Sequence, residues 1–210
     1  MTVAEYRQHT LRTLPDLGDS FRIHVKNLSH RLEISLETQI ETTQKIENIA
    51  DKLNLTHMAL GLAGEIGELT ECVGTGLKFE IDRVNLCEEL GDIYWYLANY
   101  CNMRELDLPE EPLVEVKVED AFDHLIIKIS DLVDIVKRYM AYNKPIEKSK
   151  EMNAVYDIRV ALYLFEELYD FDGADIRSKN IAKLIARFPE KFTDELAINR
   201  NLDNEHKALE

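Results

Sequence analysis

The sequence predicts an all-α protein, a helical bundle. Apolar residues recur at helical spacing through most of the chain. No stretch alternates apolar and polar residues as a half-buried strand does, and no Asn-Gly pair marks a tight hairpin. Five prolines, at positions 15, 109, 112, 145 and 189, fall mostly where one helical pattern ends and the next begins.

In chain order, residues 3–13 read as a short helix ended by Pro15, and residues 14–35 as irregular. Residues 36–52 read as a polar helix with a turn near Asn54, and residues 55–77 as an amphipathic helix. Asp82 is placed to cap the next helix, which reaches about residue 104, because its short carboxylate can accept from the first free backbone N–H groups. LDLPEEP (106–112) is a loop, and residues 115–142 read as a long helix broken from the next near Pro145. Residues 147–171 and 174–188 are further helices, and residues 194–209 a charged terminal one. The chain divides into 1–53 (N-terminal helix and insert), 54–104 (a helical pair), 105–175 (an inserted helical segment) and 176–210 (C-terminal helices on the same bundle).

With 210 residues and 45% hydrophobic content, the chain can bury a sizeable core. No apolar run is long enough to span a bilayer, and MTVAEYRQHTLRTLP lacks the apolar core of a signal peptide, so no membrane partner and a cytoplasmic location are expected. The formal net charge of −15 opposes a nucleic-acid partner, which needs a basic surface. Cys72, Cys87 and Cys101 stand far apart without metal-site spacing and read as buried thiols. GTGLK (74–78) lacks the spacing and the preceding strand of a phosphate-binding loop.

Two neighbouring helices carry acidic pairs three residues apart: Glu65 and Glu68 in GEIGE, Glu89 and Asp92 in EELGD. Residues three apart share a helix face. At about 100° per residue, Leu62, Ile66, Leu69 and Val73 form one apolar stripe, and Leu86, Leu90, Ile93 and Leu97 another. The acidic pairs sit at the same angular offset from each stripe, so packing the stripes brings all four carboxylates together. Tyr96 and Asn99 continue that flank. Clustered carboxylates repel unless a cation joins them, and their hard oxygens suit Mg²⁺ or Mn²⁺. Solvated acidic helix faces are the competing reading. Gly61, Gly64, Gly67 and Gly91 lie within these helical patterns at about 1 kcal/mol each against alanine, which points to close helix approach or room for a ligand.

In NIAKLIARF (180–188), Ile181, Leu184, Ile185 and Phe188 form an apolar face, with Asn180, Lys183 and Arg187 along another ridge. That ridge could hold phosphate oxygens or simply be solvated. Tyr94, Trp95 or Tyr96 could stack on a base or fill the core.

ALGLAGEIGELTE (59–71), NLCEELGDIYWYLANY (85–100), NIAKLIARFPEKF (180–192) and EYRQHTLRTLP (5–15) together resemble the MazG-like all-α nucleoside triphosphate pyrophosphohydrolases, particularly phage-type members. The family pattern is ExxE, a spacer, then ExxD, and here 20 residues separate Glu68 from Glu89. The resemblance implies Mg²⁺ held by Glu65, Glu68, Glu89 and Asp92, and attack by a metal-activated water that turns (d)NTP into (d)NMP and pyrophosphate. It also implies phosphate contacts from Lys183 and Arg187, and a homodimer or homotetramer. Asn85 stands where some relatives have lysine.

Residues 120–170 can be read as a degenerate repeat, or as helices whose likeness is only the trivial one of a shared period, with Asp131 facing solvent. SDLVDI (130–135) can be laid on GEIGEL (64–69), and YDIRVALYL (156–164) on GDIYWYL (91–97). Asp131, Asp134 and Asp157 then match Glu65, Glu68 and Asp92, with Ala154 at the place of Glu89, so a full second metal site is not expected. Two other function classes compete: a catalytically inactive nucleotide-binding or helix-interaction module of the same fold, and a di-iron bundle. The missing ExxH pairs disfavour the di-iron bundle.

Overall fold

The computed structural model describes residues 1–16, 19, 22–23, 26, 36–73, 81–114 and 121–209. Among them the chain is helical, with no strand. The helices are α1 (Val3–Thr10), α2 (Leu36–Val73), α3 (Arg83–Arg104), α4 (Ala121–Tyr142), α5 (Lys148–Tyr169), α6 (Gly173–Arg187), α7 (Asp194–Ile198) and α8 (Leu202–Lys207). None is long and apolar enough to cross a membrane.

Two helical hairpins form the body. Helices α2 and α3 pack together, α4 and α5 pack together, and α2 also lies against α4. Helix α6 covers α3, α1 packs against both, and α8 packs on α6. The two stripes meet as expected: Leu62, Leu69, Leu86, Leu90, Ile93 and Leu97 are all buried. Burying such a side chain contributes about 1.5–3 kcal/mol, so this seam fixes how α2 faces α3.

The helix ends follow local chemistry. Thr2 and Glu5 form a capping box on α1, and a 3₁₀ turn at Leu11–Thr13 completes the segment before Pro15. The Asp82 side chain accepts from the backbone N–H groups of Val84 and Asn85, as expected. Glu105 ends α3 in the left-handed region at φ 52°.

Three expectations are corrected. Helix α2 runs without a turn at Asn54, and so crosses the boundary drawn at residue 53. No glycine or proline interrupts it there, and the Asn54 side chain bonds Asp16 across 3.1 Å instead of breaking its own backbone ladder. The terminal helix is two short ones, because Asn199 ends α7 and the Asn201 side chain caps α8 through the Asn204 N–H. Ile185 is 47% exposed, because α6 turns its polar ridge towards α3: Asn180 and Lys183 are buried. The irregular stretch expected at 14–35 lies mostly outside the described residues. So do GTGLK (74–78) and the first turn of the helix expected from residue 115.

Candidate metal and phosphate site

The α2–α3 seam and the α6 ridge together build a cleft of about 290 Å³. Glu65 and Glu68 reach it from α2, Glu88, Glu89 and Asp92 from α3, and Arg187 from α6. Carboxylate oxygens of Glu65, Glu89 and Asp92 all lie within 4.8 Å of one another. Glu68 lines the same cleft but stands outside this close group.

The cluster is held against its own repulsion. Burial, reinforced by the negative charges of Asp92, Glu68 and Glu89, pushes the Glu65 pKa up to about 8. Burial, then Asp92 and Glu68, pushes Glu89 up to about 7. Carboxyls that resist ionisation this way are relieved by a cation among them. Part of that relief comes from within: the buried Lys183 ammonium donates to Asp92 Oδ1 at 2.6 Å and to Glu88 Oε1 at 3.2 Å.

Asp92 is also fixed from behind. Asn180 Nδ2 donates to Asp92 Oδ1 at 2.7 Å, and Tyr6 Oη donates to Asn180 Oδ1 at 2.6 Å. Tyr6 Oη also lies 3.1 Å from the Gly91 carbonyl. A Cβ on Gly91 would meet Asn180 Cβ at 2.9 Å, so the missing side chain lets α6 approach α3 and deliver Asn180. Asn180 is therefore enclosed, with both ends of its amide engaged, and acts on the cleft through Asp92.

The far wall is aromatic. Trp95 and Tyr96 line the cleft with Phe188 and Phe192, whereas Tyr94 is enclosed in the core and donates to Glu166. The Tyr96 ring lies directly over Gly61, where a Cβ would come within 2.1 Å of Tyr96 Cε1. Gly64 and Gly67 show no such approach; a Cβ on either would meet nothing within 4 Å among the described residues. Asn99 is fully buried, bonded to the Trp95 carbonyl at 3.0 Å, and is not among the cleft-lining residues.

Three cleft residues escaped the sequence reading. Glu88 is the neighbour of Glu89 and takes part of the Lys183 charge. His57 lines the cleft edge-on to Tyr96, with ring centroids 5.8 Å apart and its pKa lowered by burial. Its position two helical turns before Glu65 was the available signal. Arg200 also lines the cleft, and nothing in the sequence places the tail there.

On the α4–α5 hairpin, the aspartates that the sequence lays on these carboxylates meet cations instead. Lys128 Nζ lies 3.1 Å from Asp157 and 3.7 Å from Asp131. Asp134 pairs with Lys137 and Arg138. Ammonium and guanidinium groups thus answer the carboxylates that would otherwise call for a metal.

Fold and cleft together define an all-α protein with a carboxylate-rich cleft flanked by Lys183, Arg187 and Arg200. Residues 53–131 match the family model described as the MazG nucleotide pyrophosphohydrolase domain, a segment that includes all four carboxylates of the ExxE and ExxD pairs. No curated protein and no solved structure matches the chain.

Proposed function

We propose that the protein is a Mg²⁺-dependent nucleoside triphosphate pyrophosphohydrolase that converts a (d)NTP and water into a (d)NMP and pyrophosphate. The carrying observation is the meeting of Glu65, Glu89 and Asp92 within 4.8 Å of one another in a cleft that also holds Arg187.

The donor set fits a hard divalent cation, because it is all oxygen and its charge is poorly balanced without one. Glu65, Glu89 and Asp92 would hold Mg²⁺, with Mn²⁺ as a substitute, and Glu68 would complete the carboxylate wall. When bound, such an ion polarises phosphate oxygens and lowers the pKa of water. Lys183 offsets the negative charge that a triphosphate meets on entering, while Tyr6 and Asn180 keep Asp92 in one orientation. Arg187 takes phosphate oxygens, and Tyr96 and Trp95 provide the apolar wall for the base. Burial holds Tyr96 as a neutral phenol, with its pKa pushed up to about 12.

Asn85 supports a second reading, a nucleotide-binding module without turnover. It stands where some relatives have lysine, and its Nδ2 lies 2.9 Å from Cys72 Sγ. Assembly as a homodimer or homotetramer belongs to the proposal and is tested by sedimentation. The α4–α5 hairpin as a degenerate copy of α2–α3 belongs to it too, and predicts no divalent-ion binding at Asp131 and Asp157.

The discriminating variant is Glu89→Gln. It should abolish Mg²⁺-dependent release of pyrophosphate while leaving the fold intact by circular dichroism. Unchanged turnover would place the metal elsewhere.

A further inference from the structure

Resting on the pyrophosphohydrolase reading, we infer that Arg200, on the turn between α7 and α8, binds the pyrophosphate end of the substrate together with Arg187. The tail segment thus becomes part of the active site.

Arg200 lines the same cleft as the carboxylates, and its side chain is 39% exposed. Glu205, whose side chain is only 3% exposed, holds it: Arg200 Nη2 donates at 2.7 Å and Nε at 3.2 Å. The same carboxylate accepts from Arg187 Nη2. Burial pushes the Glu205 pKa up, but the two guanidiniums outweigh it and hold the acid ionised.

One carboxylate shared by two guanidiniums leaves a net positive charge beside an open cleft. Donors are left over as well. Arg187 Nε is buried with no partner, and Arg200 Nη1 makes no hydrogen bond among the described residues. Two guanidiniums on one carboxylate also occur as a structural triad; here the pair borders the carboxylate cleft and keeps unused donors. An anion with several oxygens satisfies both forks at once.

The order of charges along the cleft sets which part of the substrate lies there. Lys183 is spent on Asp92, beside the carboxylates. Arg187 lies one turn further along α6, and Glu205 links it to Arg200. With the reacting phosphate at the carboxylates, the departing pyrophosphate extends towards the two arginines, which balance the charge it gains as the bond to it breaks.

The test is calorimetric titration of inorganic pyrophosphate with Mg²⁺ into the wild-type protein, Arg200→Gln and Arg200→Lys, alongside KM for a nucleoside triphosphate. Glutamine can still donate to Glu205, so α8 should stay docked and the melting temperature unchanged. Arg200→Gln should weaken pyrophosphate binding about 10-fold or more and raise KM, with monophosphate affinity unchanged. Arg200→Lys should fall between the two. Equal pyrophosphate affinity in all three proteins overturns the assignment, as does equal weakening of pyrophosphate and monophosphate. If the wild-type protein hydrolyses no nucleotide, the enzymatic reading fails, and the titration still decides whether Arg200 binds the anion.

Discussion

Replacing Glu65 with Gln should make the metal-free protein more stable at pH 8 while destroying its activity. The structure holds the Glu65 carboxyl among Glu68, Glu89 and Asp92, with its pKa raised from 4.5 to about 8. A group whose folded pKa exceeds its unfolded value favours the folded state below the unfolded pKa. That contribution fades as pH rises from about 4.5 through about 8. At pH 8 the native protein therefore holds a carboxylate it would prefer protonated, at a cost of at most about 5 kcal/mol. Glu65 is partly exposed and shares its repulsion with neighbours, so about 1–3 kcal/mol should be recoverable. Glutamine keeps the shape and removes the charge. For a chain of this size the gain is several degrees in Tm. Thermal denaturation in EDTA at pH 8 and pH 5 measures it: Glu65→Gln should melt higher at pH 8, and the gap should shrink towards pH 5. A variant that melts at or below wild type at pH 8 would refute the claim that this cluster is strained without a cation.

Three further outcomes follow from the same geometry. Mg²⁺ should raise the wild-type Tm more at pH 8 than at pH 5, because protons compete for the same carboxylates, and should leave Glu65→Gln nearly unmoved. Tyr6→Phe removes the hydroxyl that donates to Asn180 Oδ1, leaving that buried acceptor without its donor. It should cost about 1–3 kcal/mol in denaturant titrations and lower kcat more than KM rises, since Asp92 loses its support. Gly61→Ala drives a methyl into the Tyr96 ring and should weaken nucleotide affinity; an unchanged KM would show that Tyr96 does not face the substrate.

The helices and the approach of the acidic pairs were legible because both obey the 3.6-residue period. The stripes through Leu62 and Leu90 fixed the facing of α2 and α3, and that facing carries Glu65, Glu89 and Asp92 into one place. The continuity of α2 through Asn54 was not legible, because the contact that decides it runs to Asp16, far away in sequence. The apolar face of α6 was legible in Ile181, Leu184 and Phe188, which are buried, but the burial of Lys183 and the exposure of Ile185 were not: the pull comes from Asp92 and Glu88 across the interface. Tyr6 and Arg200 were invisible as site residues for a related reason. Arg200 lines the cleft and Tyr6 supports it from behind, both through chain ends that return to α3 and α6, which no local period records.

The central claim is tested most directly by product analysis of the purified wild-type protein with a panel of NTPs and dNTPs, with and without Mg²⁺. The account predicts monophosphate and pyrophosphate in equal amounts, only when Mg²⁺ is present, with the preferred base read from the panel. Mg²⁺-independent turnover, or release of single phosphate in place of pyrophosphate, would contradict it.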